Sequence, residues 1–201
     1  KYKIGIMDDP FRYLRPDKED EYHYCAEHLN VSQSLARKSV VLLKNDGVLP
    51  LHKQGKRIAV IGPFSDSQDL LGPWQGTKYA DRTITLTQGI HAVAPDVQLI
   101  VAQGCEVEHE IAAGEQGAVS AAEQADIVIL ALGESGPMSG EATSRMQIGL
   151  PHVQKRLMEA VLQVGKPTVL ILTNGRPLIL EEIDRDKRIN AIVETWFLGS
   201  Q

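Results

Sequence analysis

The chain carries its apolar residues in short blocks separated by longer mixed segments. Five blocks are almost wholly apolar: residues 57–62 (RIAVIG), 97–102, 127–132 (IVILAL), 168–172 and 190–193. Uninterrupted apolar runs of this length are the pattern of strands buried on both faces of a parallel sheet. Between them lie stretches with helical spacing, residues 85–94 and 115–125. A strongly periodic helix is predicted from Pro151, with Val153, Leu157, Ala160, Val161 and Val164 on one face and Gly165 beyond its end. Nearer the start, Ser32 can cap a helix whose face carries Leu35, Ala36, Val40 and Leu43, stopped by Asn45-Asp46-Gly47. Residues 1–24 mix proline, a charge run and scattered aromatics, which predicts a linker or wrap-around arm rather than a helix or strand. Strands alternating with helices at this spacing predict an α/β fold, a three-layer α/β/α sandwich around a mostly parallel sheet.

Ligands of such sheets bind beyond the carboxyl ends of the strands. That rule places four segments on one edge: residues 63–82, 133–150, 174–177 and 194–196. Trp74 and Glu141 therefore share a rim. The second segment, within GESGPMSGEATSRMQIGLP, is far longer than the usual connection of about 4–6 residues, and long loops without a period of their own are commonly functional. It holds two carboxylates, Glu134 and Glu141, with Ser139, Thr143, Ser144 and Arg145 nearby.

Charge and motif content then remove several kinds of chemistry. A net charge of -5 without a local lysine or arginine cluster leaves no electrostatic footprint for nucleic acid. No apolar run approaches the roughly 20 residues of a membrane helix. The first strand runs into Gly62-Pro63-Phe64-Ser65-Asp66, which has neither the glycine trio of a dinucleotide site nor a P-loop lysine. No G-x-S-x-G elbow follows a strand. The six histidines are dispersed, and Cys25 and Cys105 are too few for a metal site or a disulfide framework. Neither a metal nor another cofactor is expected.

Carboxylate chemistry remains. Glycoside hydrolysis needs one carboxylic acid to protonate the leaving oxygen and a second carboxylate to attack or to activate water. A glutamate on a rim loop with an aromatic on the neighbouring loop suits the acid role, although on composition alone Glu141 reads more readily as a solvated loop charge. Trp74, in Leu71-Gly72-Pro73-Trp74-Gln75-Gly76, can stack on a sugar face or fill a gap between loops.

Taken together, VVLLKNDGVLPL, IAVIGPFSD, the Trp74 loop, LGESGPMSGEATSR, the IGLP after it, TNGRPL and ETWFLG resemble, in that order, the second domain of glycoside hydrolase family 3. The likeness is strongest to bacterial periplasmic β-glucosidases. The opening GIMDDPFRYL resembles the exit from that family's catalytic (β/α)8 barrel. The resemblance implies that residues 1–24 are the barrel's tail and linker, and that residues 25–201 are an α/β sandwich domain incomplete at its C-terminal end. It further implies a retaining β-glycosidase acting on terminal non-reducing β-D-glucosyl residues of an oligosaccharide or β-glucoside, located in the periplasm or secreted. The nucleophilic aspartate would come from the absent barrel, Glu141 would be the acid/base, Trp74 would contact the sugar, and Glu134 would be structural, bonding loop backbone. Met146-Gln147 stand where many relatives carry an aspartate. The chain alone is expected to be inactive. The alternative from another class is a non-catalytic carbohydrate-binding or interdomain packing module.

Overall fold

The computed structural model describes residues 1–75 and 83–199, so part of the predicted Trp74 loop, residues 76–82, lies outside the described residues. The chain divides into two compact units, Lys1–Leu35 and Ala36–Gln201. In the first, two 3-10 turns, Tyr2–Ile4 and Pro16–Lys18, lead into a single helical turn α1 (Glu19–Tyr22). The charge run is therefore helical rather than an extended arm, with Pro16 opening the turn and Lys18 paired to Glu21 at 2.8 Å.

Helix α2 (Ala26–Ser39) runs through the boundary between the units. It begins before Ser32 and ends before Val40, which corrects the sequence expectation at both ends. The apolar residues assigned to its C-terminal face instead form strand β1 (Val41–Asn45), antiparallel to the last strand, β6 (Ile189–Glu194). A short apolar run is ambiguous between helix and strand, and the tertiary partner decides. Asn45 ends the strand rather than a helix, its Oδ1 accepting from the backbone N–H of Gly47 and Leu49 at 3.1 Å each.

Four further strands complete the sheet of the described residues: β2 (Arg57–Ile61), β3 (Gln98–Ala102), β4 (Ile127–Gly133) and β5 (Thr168–Thr173). Their order is β1-β6-β5-β4-β2-β3, and every pairing except β1 with β6 is parallel. Helices α4 (Gly114–Gln124), α5 (His152–Leu162) and α6 (Glu181–Arg185) cover one face, where Ala118, Ala122, Leu157 and Val161 meet Ala59, Leu130, Leu132 and Leu170. Helix α3 (Leu86–Val93) lies against the other face, with Val48, Leu49 and Leu51 beside it. Thr85 starts α3 through a capping box with Gln88. The fold is thus an α/β sandwich around a mostly parallel sheet, as the alternating blocks predict.

Strand order determines where a site can form. From β2 the chain crosses to β3 on one side, and its next strand, β4, returns to the opposite side of β2. The loops leaving β2 and β4 diverge at this reversal, opening a crevice beyond the carboxyl ends of adjacent strands.

Candidate active site

The long loop starts from a fixed point. Gly133, the last residue of β4, is held by Gln154, whose Oε1 accepts from the Gly133 N–H and whose Nε2 donates to the Gly133 and Val107 carbonyls, each at 2.8 Å. The Gln154 side chain is 0% exposed. It sits one residue after Val153 on the buried face of α5, where apolar periodicity predicts no polar group. Its amide does for the end of β4 what a neighbouring strand does elsewhere.

Glu134 follows and is also 0% exposed. Two guanidinium groups compensate its charge: Arg145 Nη1 lies 2.5 Å from Oε1, and Arg176 Nε lies 3.6 Å from the same oxygen. A buried carboxylate is stable only with such partners. Its side chain therefore does not bond loop backbone, as the sequence reading expected; only its N–H does, to Thr173 O at 2.8 Å. Arg145 also donates to Gly149 O at 3.3 Å, so the ion pair ties the beginning of the loop to its return.

The loop then packs on its neighbours. Gly136 N–H donates to the Asp69 carboxylate at 3.2 and 3.4 Å, joining it to the loop after β2. Gly140 has φ +118°, and a Cβ there would stand 2.8 Å from Pro73 Cβ and 3.9 Å from Trp74 Nε1. A side chain at Gly175, on the loop after β5, would strike Ser139. Arg176 Nη2 donates to Met138 O at 2.6 Å and lies 3.4 Å from Thr143 Oγ1. Thr173 and Thr195 exchange a hydroxyl contact at 3.3 Å, linking the ends of β5 and β6.

Between the loops after β2 and β4 lies an open cleft of about 980 Å³, lined by Asp69, Pro73, Trp74, Ser139, Glu141 and Thr143 among others. Trp74 is 72% exposed. Glu141 is exposed too, carried just before a left-handed turn at Ala142 (φ 60°). Among the described residues no hydrogen bond or ion pair holds its carboxylate. The structure thus brings Trp74 and Glu141 to one cleft and separates Glu134 from them, below the surface.

A third carboxylate, Glu194 at the end of β6, is buried beside this network. Burial raises its pKa above the ordinary carboxylate value and the charge of Glu134 adds to the rise, while bonds from the Trp196 N–H and the Asn174 amide oppose it. Gln154 and Asp69 were not singled out from the sequence, and Gly175 and Arg176 entered only as part of the rim segment 174–177. The one local signal is Gln154, a polar residue within an apolar helical stripe. Among the described residues no group of three or more His, Cys, Asp or Glu side chains could hold a metal ion, and no helix is long and apolar enough to cross a membrane.

The chain is thus a doubly wound α/β domain with a carboxylate-bearing polar cleft at its switch point. Residues 40–201 match the sequence profile of the Glycosyl hydrolase family 3 C-terminal domain, and the chain belongs to that family. It is 37% identical to a periplasmic beta-glucosidase of Salmonella typhimurium, over 100% of this chain and 29% of that protein. It is 34% identical to a beta-xylosidase of Formosa agariphila, over 99% of this chain and 28% of that one. The crystal structure of a beta-glucosidase from Listeria innocua in complex with isofagomine superposes with a TM-score of 0.88 at 32% identity, covering 100% of this chain and 27% of that chain. The chain thus spans less than a third of the relatives it matches, and those relatives are glycoside hydrolases.

Proposed function

We propose that this chain is the acid/base-bearing domain of a retaining β-glycosidase that removes terminal non-reducing β-D-glucosyl residues. The observation that carries the reading is the placement of Glu141: an exposed carboxylate in the switch-point cleft, beside Trp74, on a loop tied down by buried bonds. A single mobile-looking charge would need no such anchoring. Retaining hydrolysis uses two carboxyl groups about 5–5.5 Å apart, one acting as nucleophile and the other first as acid and then as base. Glu141 takes the second role. It protonates the departing glycosidic oxygen, then removes a proton from the water that releases the glycosyl-enzyme. The nucleophilic aspartate comes from a barrel domain of the same protein, with residues 1–24 as its tail and linker and residues 25–201 as the sandwich domain. Closure of that barrel over the cleft excludes water from the reacting bond. Trp74 offers a face for the sugar. Export to the periplasm or beyond accords with the Salmonella relative's name.

The test is turnover by the full-length enzyme carrying Glu141→Ala, on an activated and a poor-leaving-group aryl β-glucoside, with and without azide. The expected result is a loss of kcat/KM confined to the poor substrate, about 100-fold or more, and on the activated one a kcat limited by slow release of the glycosyl-enzyme, which azide restores. A variant that behaves like the parent would leave this domain as a binding wall. The corresponding aryl β-xylosides distinguish glucosidase from xylosidase specificity, and the isolated chain should hydrolyse neither.

A further inference from the structure

We infer that Arg176 is the positioning residue of the Glu141 loop, an assignment that rests on the acid/base reading of Glu141. The carboxylate of Glu141 has no anchor among the described residues, so its location is set by its backbone. That backbone is gripped on both sides from one guanidinium. Nη2 of Arg176 donates to Met138 O at 2.6 Å, three residues before Glu141, and reaches Thr143 Oγ1 at 3.4 Å, two residues after it. The Thr143 hydroxyl donates in turn to Gly140 O at 2.8 Å, the carbonyl of the peptide that enters Glu141. Arg176 thus acts on that peptide both directly and through a hydroxyl relay.

The guanidinium is itself held from below. Its Nε forms an ion pair, without a hydrogen bond, with the buried Glu134 carboxylate at 3.6 Å, while the main-chain carbonyl of Arg176 accepts from the Asn174 amide at 2.9 Å. Gly175 lets this segment press against Ser139, the residue between Met138 and Gly140. Glu134 is rooted at the end of β4, and Arg176 follows the end of β5. The loop is therefore referenced to two central strands rather than to solvent-exposed neighbours. A lysine at 176 would supply the charge but not the planar fork that addresses Glu134 and the loop together.

A misplacement of a catalytic group by about 1 Å can cost 10²-fold in rate. Because an acid matters most when the leaving group is poor, a displaced Glu141 should weaken one class of substrate selectively. The experiment measures kcat/KM of the full-length enzyme and its Arg176→Lys, Arg176→Ala, Thr143→Val and Glu141→Ala variants on phenyl and 2,4-dinitrophenyl β-D-glucosides. Expected is a loss of roughly 30- to 100-fold on the phenyl glucoside for both Arg176 variants, a smaller loss for Thr143→Val, and changes within about threefold on the dinitrophenyl glucoside. Added methylguanidine should recover part of the phenyl activity of Arg176→Ala. Equal losses on both substrates, as from a merely unstable domain, overturn the assignment, and so does no loss on either. If Arg176→Ala does not fold, Arg176→Lys and the exposed Thr143→Val carry the same comparison. Glu141→Ala separates the two failures. If it alone shows the leaving-group dependence, the positioning role falls and the acid/base reading stands; if it shows none, both fall.

Discussion

Replacing Gln154 by methionine tests whether the base of the loop is held as described. Methionine approximates the length and volume of glutamine, so the substitution opens little cavity and isolates the polar contribution. Three bonds of 2.8 Å disappear, leaving the Gly133 N–H, the Gly133 carbonyl and the Val107 carbonyl without their amide partner. The Gln154 side chain is 0% exposed and both bonds to Gly133 are buried, so bulk water does not replace them there, while the Val107 carbonyl is only part-buried. A buried donor left unpaired costs about 1–3 kcal/mol, and a typical bond to a carbonyl contributes about 1 kcal/mol net. Since a carbonyl can keep a second partner, the sum is about 3–5 kcal/mol, a large part of an ordinary stability of about 5–15 kcal/mol. Urea unfolding of the chain followed by far-ultraviolet circular dichroism should show a lower midpoint with an unchanged slope. The thermal midpoint should fall by about 2–4 °C for each kcal/mol lost. A variant within about 1 kcal/mol of the parent would refute the reasoning, because it would mean that the three backbone groups find other partners at no cost.

Two further outcomes follow from buried titratable groups. Glu194 has its folded pKa raised above the ordinary 4.5, chiefly by burial, so its favourable contribution is present below 4.5 and is lost as pH rises through the folded value. Glu194→Gln should therefore gain stability relative to the parent as pH rises above 4.5, measured by urea midpoints; an advantage that is flat or falls from there would contradict this. Burial pushes the Cys105 thiol up to about 11, against a smaller opposing effect of Arg156, whereas Cys25 is half-buried and both thiols are free. In a Cys25→Ser variant, labelling by a disulfide reagent at neutral pH should occur only at the rate of unfolding; fast labelling in the native state would show that Cys105 is accessible.

Strands β2, β4, β5 and β6 were legible because burial leaves a nearly uninterrupted apolar run, whereas β3 carries such a run at the sheet edge with Val101 exposed, so its expected burial on both faces is not met. The same logic failed at residues 40–43. There the apolar run has one neighbouring strand, β6, far along the chain, and local periodicity favoured continuing the helix. Residues on the long loop stood out because the segment is polar and far longer than the usual connection of about 4–6 residues.

Which of that loop's carboxylates faces the cleft was a tertiary decision. Glu134 and Glu141 are the same residue type, seven positions apart. One is buried because Arg145 and Arg176 converge on it from different segments, and the other is exposed because Gly140 and Ala142 turn it outward against Pro73. By itself the amino-acid sequence determined the alternation of elements, the edge of the sheet that carries the cleft and the family resemblance. The reversal of strand order between β2 and β4, the Gln154 clasp and the Arg176 grip join residues distant along the chain, and such pairings exist only once the sheet has brought its strand ends together.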